Sequence, residues 1–514
     1  GGENHYIEKE YNLIVFGKEH TVIDPSFTFI YGVKHNIQSD VKSVAFGEEN
    51  TLSGGSSNSI FGTKNSGTNT HDSFITGRNN IALNSSRLFL YGQGNMINAN
   101  IQKHSNNSLL GGSSNTAFNS TESSIFGTSN SISDSSNSLI TGESNVTNDC
   151  SNTIISGLNN ATTNIGNSIL SGNSNTITNT TDSLLIGKNN NMDDSQFLFS
   201  FGENNHISQN SKHSFIGGYN NSVTNATGNI TFGYNNTTDT GYLSLFFGEE
   251  NTQLTGKRDA LFGHKNMINN SDNSIVSGDS NTLKDCSNNI LVGKDNIIDG
   301  NSNSFITGVN NSLTGNEASG LLILGSDNDI DGKTINSLIG GTNNQVSNVR
   351  DNISFGRNHN ITNMDLSFYL GEGHLLQDGS NNTVMGLENT MLRTKEALIT
   401  GSRNIVQDTI GTITYGQRND VSGNSEDVLM GGYKNKAYLS TASASFGTSN
   451  FLNDVSNVII AGENNTLTDC SNNLLVGYNN NISGNSNSYV SGTNNTLTGV
   501  NASGMLIFGD NNTV

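Results

Sequence analysis

The sequence predicts an all-β chain, a parallel β-roll or solenoid of about 33 rungs with a 15-residue repeat. Three observations carry that expectation. First, a glycine recurs at 17, 32, 47, 62, 77 and 92, then from 112 to 202, 218 to 308, 325, 341 to 416, 432 to 492 and 509. Of the 32 intervals between these 33 glycines, 26 are 15 residues and the rest are 16, 17 or 20. A helix-pair repeat needs more than about 30 residues, so 15 accommodates only one short coil of a solenoid. Second, each glycine closes a small-polar, apolar, apolar, variable run, as in Ser138-Leu139-Ile140-Thr141-Gly142. Third, 88 Asn and 58 Gly with a single Pro accompany a steady supply of Ile, Leu, Val and 23 Phe, which a disordered chain would lack.

The first strand of each repeat precedes the glycine. Residues one and three before it share one face and the residue two before it lies on the other. The paired positions compensate in volume, with Ser59 beside Phe61 and Ser124 beside Phe126 against Phe74 beside Thr76 and Leu338 beside Gly340. This predicts that they share the core inside the coil. Three residues after the glycine, 29 of 33 units carry Asn and four carry His (His20, His35, His359, His374). Both types tolerate positive φ, so this column reads as a left-handed turn. Two residues later an aliphatic side chain such as Val22, Ile132, Leu283 or Ile482 marks a second inward position.

The column two before the glycine is large and apolar in 27 of 33 units, including Ile30, Ile60, Leu90, Ile140, Leu291, Ile399 and Leu475. With the interior assigned to the other face, these seven become candidates for an outward stripe far larger than soluble monomers expose. Self-association would cover it, and closed symmetry is the usual form. Residues 1–10 read as a lead-in and 11–514 as one continuous domain.

The charge balance narrows the partners. Lys and Arg number 24 against 44 Asp and Glu, and the net charge of −20 disfavours nucleic acid and anionic membrane surfaces. No apolar run reaches membrane-spanning length, and three cysteines cannot make a disulfide framework. Cys150, Cys286 and Cys470 share one column, eight after the glycine, and read as small buried side chains.

Ser43-Val44-Ala45-Phe46-Gly47 resembles the S-V-A-I-G core of head repeats in trimeric autotransporter adhesins of the YadA-like type, and Ser73-Phe74-Ile75-Thr76-Gly77 is similar to a drifted copy. The resemblance runs from about Tyr11 to Val514. It implies a left-handed roll, a homotrimer about a common axis, and display on the bacterial cell surface, anchored in the outer membrane through a C-terminal segment outside this sequence. It also implies a host partner such as a CEACAM-type receptor, collagen or fibronectin.

The longest interval contains Asn100, Ile101, Gln102, Lys103 and His104, the candidate receptor contacts, because rods of this kind leave binding to insertions. Shorter breaks fall near Lys212 and near Glu426. The histidine pairs read as turn residues, and the acidic pairs Glu48-Glu49, Glu249-Glu250 and Asp193-Asp194 as solvated turns. No catalytic, cofactor or metal motif stands out, so the expectation is a non-catalytic binding module. The alternative is a phage-type or secreted solenoid that binds or cleaves polysaccharide.

Overall fold

The structure, a computed structural model, describes residues 3–8, 12–98 and 105–285. From 287 to 513 it describes all but 301–302, 315–318, 332–335, 348–349, 359, 363–364 and a set of positions beyond 373. Among the described residues there are strands and no helix. The chain divides into two compact units, Gly1–Thr255 and Gly256–Val514, and the same coil builds both.

One coil shows why the repeat folds as it does. Ile154–Leu158 is the first strand and Ala161–Thr163 the second. The third side is a single bridged residue, Gly166, paired in parallel with Ser151 and Thr181 of the neighbouring coils. Between the sides the chain turns through Asn159, Asn164 and Asn167, all at positive φ, where Asn is tolerated best after Gly. Gly157 has φ of 116°, and a methyl group there would stand 1.9 Å from the carbonyl oxygen of Gly172 in the next coil. Stacking coils at strand spacing therefore requires glycine at this corner.

Successive coils pair with marker glycine opposite marker glycine, as in Gly77 with Gly92 and Gly278 with Gly293, with register shifts between Ser380 and Thr383 and between Ile410 and Ile413. The 20-residue interval keeps that register. Leu83 pairs with Asn98 and Ser85 with Ser105, so the five extra residues are absorbed between Asn98 and Ser105.

The structure corrects the expected parity of the first strand. Ile30, Ile60, Leu90, Ile140, Leu291 and Ile399 are wholly buried inside the coil of a single chain, so they are not available to a trimer interface. Leu475 lies in the strand Leu474–Tyr478, and its side chain is outside the described set. The reason is the corner. Position two before the glycine and position three after it are five residues apart, which in a plain strand would put them on opposite faces. Two left-handed residues intervene, the glycine and the residue two after it, and they turn both positions inward.

A second correction concerns the Asn column. The left-handed residue is two after the glycine, as at Asn79 and Asn159, whereas the Asn three after it is buried. Asn160 is typical. Its Nδ2 donates to the Ser156 carbonyl at 3.1 Å and to the Gly172 carbonyl of the next coil at 2.8 Å. Its Oδ1 accepts the backbone N–H of Asn175 at 3.1 Å. The same bonds recur from coil to coil, as at Asn65, Asn130 and Asn281, forming an internal amide ladder that satisfies the corner backbone. The expected inward column five after the glycine is present, with Val22, Ile132 and Leu283 fully buried. Ile482 lies outside the described residues.

Asn160→Ala would leave the buried N–H of Asn175 without its acceptor and take the side-chain donor from the Ser156 and Gly172 carbonyls, which keep their strand pairing. The expected outcome is a loss of about 1 to 3 kcal/mol, read as a lower urea midpoint at unchanged m-value.

Candidate interaction face

With the middle residue of the first strand turned inward, the residues one and three before each glycine face out. This produces an outward apolar stripe in each unit, in the columns opposite to those the sequence suggested. In the first unit Ile14, Phe16, Tyr31, Phe89, Tyr91, Leu139, Ile154, Ile169 and Ile186 are all exposed. In the second, Ile275, Val292, Phe305, Ile353, Met385, Ile413, Tyr415 and Ile459 are. The sequence signal was the volume compensation itself, which is real but belongs to the outer surface.

Two aromatic runs thicken the stripe in the first unit. Phe29, Phe46, Phe61, Phe74 and Phe89 form a chain with ring centroids 4.9 to 5.3 Å apart. Phe199 and Phe215 stack at 4.6 Å, and Phe232 and Phe247 at 5.3 Å. Where the residue before the marker is itself glycine, a neighbouring ring covers it. The position a methyl group of Gly111 would take is 2.1 Å from Tyr91 Cζ, and that of Gly217 is 2.3 Å from Phe201 Cζ. Gly340 beneath Phe355 and Gly431 beneath Tyr415 repeat the arrangement in the second unit.

The stripe is flanked by a corner column, ten residues after the glycine, and grooves lie between the two. One groove of about 800 Å³ is lined by Phe74, Phe89 and Tyr91 with Asp72, Arg87 and Asn107 on its rim. A second, of about 650 Å³, has Phe199 and Phe215 facing Phe197 and His213. Phe197 stacks on His213 at 5.0 Å and adopts a φ of 55°, rare for a bulky residue, while remaining 48% exposed. Phe27 and Leu243 occupy the same corner column, left-handed and exposed. Sequence reading missed these three because a corner position gives no periodic signal.

The other candidates sort as follows. Asn100, Ile101, Gln102, Lys103 and His104 lie outside the described residues. Asn107, just after that insertion, lines the first groove. Glu49 sits at a left-handed corner between Lys34 and Lys64, at 3.8 and 3.5 Å, and Glu250 and Asp194 are likewise left-handed corners. Cys150 is buried within its coil, and desolvation pushes its thiol pKa up, which makes it a poor nucleophile. Cys286 and Cys470 are outside the described residues, as are His359 and His374. His20 and His35 are buried in the amide-ladder column, which corrects their reading as turn residues.

No family model matches the chain, and no curated protein matches it. Among solved structures, a protein described as an acetyltransferase from Desulfovibrio desulfuricans G20 aligns at 11% identity and a TM-score of 0.09. The alignment covers 43% of this chain and 61% of that one, and at that score it carries no argument.

Two expectations follow from the outer and inner surfaces. Adjacent glycines should differ sharply: a methyl on Gly217 meets the movable tip of the Phe201 ring, whereas one on Gly218 meets the Gly233 carbonyl oxygen at 2.0 Å with φ at 113°. Gly217→Ala should cost about 1 kcal/mol or less and Gly218→Ala about 3 kcal/mol or more, compared by urea unfolding. Thr231, two before its glycine, is fully buried with no hydrogen-bond partner for its hydroxyl. Thr231→Val removes that hydroxyl at nearly constant shape and should raise stability by about 1 kcal/mol in the same assay.

Proposed function

We propose that the chain is the head of a bacterial surface adhesin, a non-catalytic segment that self-associates into a homotrimer and attaches to a host receptor or matrix protein. The observation that carries this reading is the outward apolar stripe, repeated coil after coil. Such a surface is unfavourable in water, and covering each large side chain is worth roughly 1.5 to 3 kcal/mol. At about 4.8 Å per coil and a width of roughly 10 Å, one unit's stripe offers on the order of 800 Å² per partner, the area of a stable interface. A second copy of the chain is the natural cover, because only an object with the same axial repeat can match the stripe along its length. The resemblance of Ser43-Val44-Ala45-Phe46-Gly47 to YadA-like head repeats supports three copies and display on the cell surface.

A strictly regular stripe would let copies slip by one coil at little cost. The ring-covered glycines at 111, 217, 340 and 431 and the protruding Phe197 interrupt the regularity and give the copies a preferred register. Multivalent presentation by three copies would then raise avidity without strong single contacts. The polysaccharide-binding alternative draws on one observation, the groove in which Asp72, Arg87 and Asn107 rim an aromatic floor.

The test is the native mass by sedimentation across a dilution series. Three times 54.6 kDa, persisting on dilution and falling to one chain in Phe199→Ser/Phe215→Ser, supports the reading, and a stable monomer overturns the assembly. A binding panel of collagen, fibronectin, CEACAM-type domains and capsular oligosaccharides tests attachment, and release of oligosaccharides would favour the alternative.

A further inference from the structure

The amide ladder has one described exception. At three successive coils the column holds imidazoles: His5 stacks on His20 at 5.1 Å and His20 on His35 at 5.2 Å, the latter pair only 2° from parallel. His20 and His35 are about 1% exposed. Each donates to the carbonyl four residues back, as the asparagine it replaces would. The Nε2 of His20 lies 3.2 Å from the Phe16 carbonyl and that of His35 lies 3.2 Å from the Tyr31 carbonyl, so both nitrogens carry the proton and donate. His20 Nδ1 accepts the backbone N–H of His35 at 3.4 Å, the role that Asn Oδ1 plays elsewhere. His35 Nδ1 and both nitrogens of His5 are enclosed with no hydrogen-bond partner.

Only the neutral Nε2–H tautomer fits this geometry. A second proton on His20 would set an N–H against the N–H of His35. On His35 it would bury a donor without an acceptor. Two adjacent imidazolium rings at 5 Å would also repel each other. Asparagine carries no such liability at any physiological pH.

We propose that His20 and His35, stacked with His5, make the coils spanning residues 12–50 an acid-opened segment, while coils built on the asparagine ladder stay closed. The charged surroundings do not offset this. The strands packed around the stack, Ile14–Lys18, Thr21–Val22, Phe29–Val33, Asn36–Val41 and Val44–Glu48, bring only Lys18, Asp40 and Glu48 as charged residues. At the outer corner Lys18 pairs with Glu3 at 3.7 Å, and Lys34 with Glu19 and Glu49 at 3.9 and 3.8 Å. Burial lowers both histidine pKa values, and for His20 the neighbouring His35 lowers it further. A folded pKa below the unfolded value of about 6.5 means that stability is present above that pH and is lost as pH falls through it.

Hydrogen exchange with mass-spectrometric readout on the intact chain, corrected for intrinsic rates, tests the proposal. From pH 7.5 to 5.5 the opening constant of peptides within 12–50 should rise by up to about 100-fold, two histidines contributing about tenfold each. Peptides within 139–193 should change little. In His20→Asn/His35→Asn, which installs the residue the rest of the column uses, the rise in 12–50 should vanish. In His20→Asn alone it should fall to about tenfold. Equal pH dependence in wild type and the double variant, or no rise in the wild type, overturns the proposal. Because the readout is local exchange, either result stands apart from whether the chain trimerises.

Discussion

The structure depends on one polar constraint: the buried corner backbone after each first strand must find hydrogen-bond partners inside the coil. The asparagine three after the marker glycine meets it. Its two donors reach carbonyls of its own coil and the next, and its acceptor takes the next coil's N–H, as Asn145, Asn160 and Asn175 show in succession. Glycine is the other half of the same constraint, since the carbonyl that the amide contacts stands where a side chain on the previous glycine would be. Neither residue can change alone. The 15-residue period follows from this pair more than from any hydrophobic contact.

That constraint also sets the outer surface. Because the corner turns both the residue two before the glycine and the asparagine inward, the two remaining residues of the first strand have no interior to enter. They are free to vary, and they vary toward Phe, Tyr, Ile and Leu in many coils. The corner column beside them holds Asn, Asp and Arg at most coils but Phe27, Phe197 and Leu243 at three, where positive φ makes a bulky residue costly. Exposure and backbone strain thus fall on the same side chains.

The period, the strand positions and the all-β class were legible in the sequence because they depend on spacing alone. The facing of the first strand was not. Ile60 between Ser59 and Phe61 alternates equally well either way, and volume compensation between the flanking pair suggested a shared core when it reflects neighbours on an open face. What would have decided parity is the asparagine: a residue present in 29 of 33 coils is held by interior bonds more than by a surface turn, which Asp, Ser or Gly would serve as well. The same reasoning would have placed His20 and His35 inside.

Four coils argue that the outer stripe is there for a purpose. Ser200, Thr231, Thr414 and Ser445 occupy the fully buried position two before the glycine, with hydroxyls that have no hydrogen-bond partner. Outside them stand Phe201, Phe232, Tyr415 and Phe446, one residue away on the same strands. Exchanging inner and outer residues in such a coil would bury the aromatic group and expose the hydroxyl, the arrangement that single-chain stability favours. The sequence has the reverse, with the apolar bulk on the surface and the polar group in the core. Stability of one isolated chain does not account for that distribution, whereas a surface that is covered in use does.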